Sequence, residues 1–155
     1  MKPRAEAAVL VQPEVEARVP PFKAVSRKGV LAIAAVIDVA ISASARPVSA
    51  KALAARHRLP PRHLEPVLQA LVRDDILKGI PGPHGGYALA RESNRITADD
   101  ILRAARTAED ELPLPGSTLV HDVVRPALAE TERTVSVALG RINIDDMVKR
   151  AKTLR

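Results

Sequence analysis

The sequence predicts a mainly α-helical fold: a winged helix-turn-helix with a small two-stranded wing, then a long C-terminal helix. Three observations predict it. The 155-residue chain is 46% hydrophobic but only 1% aromatic, so its core is built from Ala, Val, Leu and Ile. Two short segments with helical spacing flank the turn Arg58-Leu59-Pro60-Pro61. A hairpin pattern with a glycine-rich tip follows them directly.

Residues 1–24 read as a flexible N-terminal extension, because Pro3, Pro13, Pro20 and Pro21 break any long helix. Ser26 then caps a helix running to about Ala43. Its residues are apolar nearly all round, which implies burial on several sides and suggests contact with a partner subunit. Asp38 interrupts the apolar run, which is also too short to span a bilayer.

Ser49 caps a short helix over about Ala50 to His57, with Leu53 and Ala54 inward. The helix after the turn spans about Arg62 to Asp74. Leu64, Val67, Leu68 and Leu71 follow the i, i+3, i+4, i+7 spacing of an amphipathic helix. Pro66 fits only if regular helix starts near His63 to Glu65 and leaves it in the first turn. Ile76 to Ile80 reads as a strand, Pro81-Gly82-Pro83-His84-Gly85-Gly86 as a loop, and Tyr87 to Leu89 as the return strand.

Thr97 begins another helix, with Asp99 and Asp100 at its positive end. An acidic, proline-containing loop leads to a long helix at about His121 to Gly140, where Pro126 fits only near the start. Asn143 caps a last short helix, with Asp145 and Asp146 in its first turn. The expected division is an extension (1–24), a winged helix-turn-helix domain (25–105), a loop (106–118), and a dimerisation helix with its short C-terminal partner (119–155).

Formal net charge is +6, which favours a polyanionic partner such as DNA. Phe22 and Tyr87 are the whole aromatic set, so the stacking platforms of single-strand binders are missing. The absence of cysteine excludes disulfides, thiolate metal sites and Cys nucleophiles. No secretory pattern opens the chain, and a cytoplasmic location is expected. The four histidines show no helical metal-site spacing, and the paired acids both open helices, so no catalytic constellation is present. The chain is read as neither an enzyme nor a cofactor protein.

A second helix of a helix-turn-helix lies in the major groove. The candidate DNA-reading residues there are Arg62, His63, Glu65 and Gln69, with Arg56, His57 and Arg58 just before them. The wing tip His84-Gly85-Gly86 has little bulk, so its backbone is expected to approach a phosphate or the minor groove. Arg27, Lys28, Lys51 and Lys78 would position the duplex without reading it. Val123, Ala127, Val135 and Ala138 are the candidate dimer contacts on the long helix.

The runs SRKGVLAIAAVIDVAI, PVSAKALAARHRLPPRHLEPVLQALVRDDILKGIPGPHGGYALAR and ITADDILRAA resemble the Rrf2-type family of bacterial winged-helix transcription regulators. The resemblance covers about residues 25–150 and is densest at HLEPVLQAL and GPHGGY. It implies a homodimer whose long helix crosses to the partner, on a two-fold operator of double-stranded DNA. Many members hold an iron–sulfur cluster through three cysteines before the long helix. Here Arg106 to Thr118 contains none, Thr118 takes the last cysteine position, and His121 stands alone. Pro66 stands where the family commonly has Gln, and Pro81 where it commonly has Arg. The expected function is a sequence-specific regulator, a repressor, without a cluster. The alternative is a regulator-like dimer acting through a partner protein or small-molecule effector, with weak DNA binding of its own.

Overall fold

The computed structural model describes residues 25–43, 46–106 and 115–154. The N-terminal extension and most of the cysteine-free loop lie outside the described residues. Helix α1 spans Arg27–Ser42, α2 Ala50–Arg56 and α3 Pro61–Arg73. Strands β1 (Leu77–Ile80) and β2 (Gly86–Leu89) form an antiparallel hairpin, with Leu77 opposite Leu89 and Ile80 opposite Gly86. After a 3-10 turn at Ser93–Arg95 come α4 (Ala98–Ala104), α5 (Arg125–Gly140) and α6 (Ile144–Lys152).

The predicted caps form the hydrogen bonds that their side chains allow. Ser26 Oγ accepts from Gly29 N, Ser49 Oγ from Ala52 N, and Asn143 Oδ1 from Asp145 N. Thr97 goes further: it accepts from Asp100 N while the Asp100 carboxylate accepts from Thr97 N, a reciprocal capping box.

The core is aliphatic, with Leu53, Leu64, Leu68, Leu71, Ile96 and Ile101 among its fully buried side chains. Helix α1 runs through its centre and packs on α3, α4, α6 and β2. Its apolar girth is therefore absorbed largely within this chain, and the expected partner is not needed to explain it. Val30 is the exception, at 58% exposure. Gly29 permits the closest approach, because a β-carbon there would collide with the Leu102 side chain of α4.

Three local expectations are corrected. Helix α3 starts at Pro61, not near His63, so Pro66 lies inside the helix rather than in its first turn. Pro61 is pre-set for the first helical position, and His63 N donates to Pro60 O at 3.0 Å. Pro66 then leaves the Arg62 carbonyl without its usual donor, which is tolerable because both residues face solvent. Secondly, the long helix begins before His121. Ser117 Oγ accepts from Val120 N, and wide π-helical turns cover Leu119–Val124. Arg125 N donates to Val120 O, five residues back, and the widened turns carry the chain past Pro126, which has no N–H. Thirdly, β1 starts at Leu77 and β2 at Gly86, each one residue from expectation.

Two long-range pairings complete the frame. Val48 bridges to Tyr87, fixing the wing to the segment before α2 through N–O distances of 2.9 and 2.8 Å. Thr97 bridges to Asn143, tying the start of α4 to the start of α6. Asp145 of α6 joins Ser93 Oγ at 2.9 Å and Lys149 Nζ at 2.9 Å. The lysine and the hydroxyl hold the Asp145 carboxyl below its ordinary range, and Asp145 in turn raises Lys149. Among the described residues, no helix is long and apolar enough to cross a membrane.

Candidate nucleic-acid interface

Helices α2 and α3 meet at the turn His57 to Pro60, and their buried faces fix what remains outside. Leu64, Val67, Leu68 and Leu71 lock α3 into the core. Arg62, His63, Glu65 and Gln69 are consequently exposed. Arg62, Glu65 and Gln69 are spaced by three and four residues and share one helix face. Pro66 lies beside them, so one position of that surface presents a ring without a hydrogen-bonding group.

The turn is closed by Arg58 in the left-handed conformation, φ 55°. Leu59 N reaches Ala54 O and Arg58 N reaches Ala55 O, the paired bonds that usually end a helix on glycine. Arg58 is exposed, directly before α3. His57 turns inward instead: its Nε2 lies 2.7 Å from Asp38 Oδ2 of α1, in contact but without the alignment of a hydrogen bond. Arg56 Nη1 is 3.9 Å from Asp38 Oδ1 and 3.4 Å from Ser42 Oγ. The one carboxylate of the apolar helix thus anchors the turn.

Lys51, Lys78, Arg27 and Lys28 are all exposed. Neither they nor Arg62 form an ion pair among the described residues. Arg27 is brought to the helix-turn-helix, since it shares an apolar groove of about 440 Å³ with Leu31, His57 and Leu59. His84 is exposed at the wing tip, but Gly85 and Gly86 are half-buried. A β-carbon on Gly86 would lie 2.5 Å from Val48 C and O, and one on Gly85 would strike the Ile80 carbonyl. The close approach that these glycines permit is internal: Gly86 seats the wing on Val48 and Ser49, and Gly85 lets the loop fold back on Ile80 to Gly82. Arg46, which the sequence reading did not single out, is exposed next to this seat. No local periodicity points to it, because the Val48–Tyr87 pairing brings it there.

Helix α5 has no buried residue. Val123, Ala127 and Ala138 are exposed, and Val135 is half-buried. Leu119, Val124, Leu128 and Val137 are also exposed, at 64%, 41%, 54% and 56%. The side facing its own domain is polar in part: Ser136 donates to Asp99 at 2.8 Å and accepts from Arg103 at 3.0 Å. The paired acids are likewise structural, with Asp99 on Arg103 at 2.9 Å and Asp100 in the capping box.

The model of the Rrf2 family, described as iron-dependent transcriptional regulator, matches residues 25–150. The regulator IscR of Xenorhabdus nematophila is 27% identical over 135 residues, covering 82% of this chain and 80% of that protein. The regulator CymR of Bacillus subtilis is 30% identical over 116 residues, covering 69% and 84%. The solved structure of T. potens IscR superimposes with a TM-score of 0.66 at 30% identity, covering 84% of this chain and 90% of that one. That of B. subtilis CymR gives 0.64 at 26% identity, covering 81% and 96%.

Proposed function

The chain belongs to the Rrf2 family of transcriptional regulators, and on that premise we propose that it is a cytoplasmic, homodimeric repressor reading a two-fold DNA operator. The observation that carries this reading is the face of α3: a helix locked by four buried aliphatic residues, presenting Arg62, Glu65 and Gln69 outward. Arg forms bidentate bonds to guanine O6 and N7, Gln does so with adenine, and Glu accepts from cytosine N4. Lys51, Lys78, Arg27 and Lys28 contribute phosphate contacts that position the duplex.

Helix α5 supports the homodimer. A helix with no fully buried residue that exposes Leu128 and Val137, continued by π turns that expose Leu119 and Val123, needs a cover. A second copy, related by two-fold symmetry, covers it and spaces two recognition helices.

The family's iron–sulfur cluster does not fit this chain. It has no cysteine, and among the described residues no three His, Cys, Asp or Glu side chains gather. His121 is exposed on the π turns without thiolate neighbours. Control of DNA binding therefore runs through something else. A second reading, a dimer acting through a partner or small effector, draws on Pro66 in the reading face and on the apolar groove beside Arg27.

Selection from a random duplex pool tests the proposal. It should enrich two inverted half-sites about one helical turn apart; a pool that stays random would overturn it. Arg62→Ala should cost about 1–3 kcal/mol on the enriched site and relax the preference at one base pair per half-site. Arg58→Gly should separate stability from binding. Removing the left-handed strain should raise unfolding free energy by about 1 kcal/mol, read by urea titration. DNA affinity should fall, because the exposed guanidinium is lost.

A further inference from the structure

We propose that the cleft between α2 and the wing tip is a phosphate clasp, in which Arg46, Arg56 and His84 hold one stretch of DNA backbone. The proposal rests on the DNA-binding reading and goes beyond it by adding Arg46 and joining it with Arg56 and His84 in one site. The cleft has a volume of about 420 Å³, is open to solvent, and has the exposed His84 of the wing tip in its lining. Three parts of the chain build it: Ser42 at the end of α1, the stretch from Arg46 through α2 to Arg56, and the tip 83–85, which is distant in sequence from both. Two guanidinium groups and an imidazole meet there, and no carboxylate lines it. In a folded surface that carries both signs of charge, such a gathering favours an anion.

The walls are fixed rather than adaptable. The Val48–Tyr87 pairing and the Gly86 contact hold the wing against residues 47–49, so the cleft keeps its width without a ligand. Ser49 Oγ accepts from Ala52 N, which leaves its hydroxyl hydrogen to donate. Arg56 is oriented through Nη1 by Asp38 and Ser42, and no hydrogen bond among the described residues uses its other nitrogens. The ligand class is a phosphodiester, because the cleft is open-ended and offers donors without a base-shaped pocket. A backbone held here is gripped by wing and helix-turn-helix at once. That contact would set the register in which α3 meets the bases.

The test uses a mixed-sequence duplex of about 30 base pairs and anisotropy titrations between about 50 and 200 mM salt. Arg46→Gln should make the plot of log affinity against log salt shallower by about one for each copy bound. On a duplex enriched by selection, its preference over mixed sequence should be unchanged. Ser49→Asp keeps a good helix cap but puts a carboxylate into the cleft. It should melt like the wild type and lose most binding to both duplexes. An unchanged slope for Arg46→Gln, or wild-type affinity for Ser49→Asp, would overturn the clasp while leaving the regulator reading intact. A wild type that binds mixed duplex with the clasp slope but never enriches a sequence overturns the regulator reading alone. A wild type that binds no duplex overturns both.

Discussion

Replacing Gly86 by alanine is expected to lower stability by about 3 kcal/mol and to detach the wing. The β-carbon would sit 2.5 Å from the Val48 carbonyl and 2.8 Å from Ser49 N. These are backbone atoms at the start of α2, and Val48 is itself 6% exposed. Neither side has room to yield by a rotamer change. Relief requires opening the Val48–Tyr87 pairing, which gives up two hydrogen bonds of 2.8 and 2.9 Å. Against a total stability of about 5–15 kcal/mol this is a large fraction. The melting temperature should fall by roughly 10 °C. DNA affinity should drop further than unfolding alone explains, because His84 and the clasp lose their fixed place. Gly79→Ala is the control: nothing lies within 4 Å of its β-carbon, and it should melt like the wild type. Equal melting of the Gly86 and Gly79 variants would refute the internal role of the tip glycines.

The second large effect concerns α5. Val123→Glu together with Ala127→Glu should convert a two-chain species into single chains in sedimentation or light scattering. Both positions are exposed and lie four residues apart, on the side away from Ser136 and its bonds to α4. The carboxylates therefore leave the chain's own core untouched and place four negative charges in a two-fold apolar seam. Affinity for a two-half-site duplex should fall by about 100-fold or more, because the second half-site loses its tethered partner. Helical content in circular dichroism should be retained. A double variant that still sediments as two chains would show that another surface joins the copies.

The two variants also mark where the fold was legible in sequence and where it was not. Caps are local: Ser26, Ser49, Thr97 and Asn143 each bond a backbone N–H two or three residues on, so residue type and position reveal them. The face of α3 was legible for the same reason, since its burial repeats with the helix period. The cover over α1 was not, because α4 and α6 are brought to it by folding, and apolar periodicity does not say whose surface hides it. Pro66 misled the placement of the helix start: proline is disfavoured inside helices, but an exposed carbonyl lowers that cost by taking water. The π turns before Pro126 have no residue signature of their own. At the wing tip the sequence displayed the glycines but not their reason. A missing side chain looks the same whether the neighbour is DNA or Val48, and only the structure supplies the neighbour. Arg46 was invisible on the same ground, being defined by a pairing 39 residues away along the chain from Val48 to Tyr87.

The most direct test of the account is a competition titration at about 150 mM salt. A duplex enriched by selection is displaced from the wild-type protein by itself and by mixed-sequence duplex. The expected result is a preference of about 1,000-fold or more for the enriched duplex, with two chains bound to each. Equal displacement by the two duplexes would contradict it.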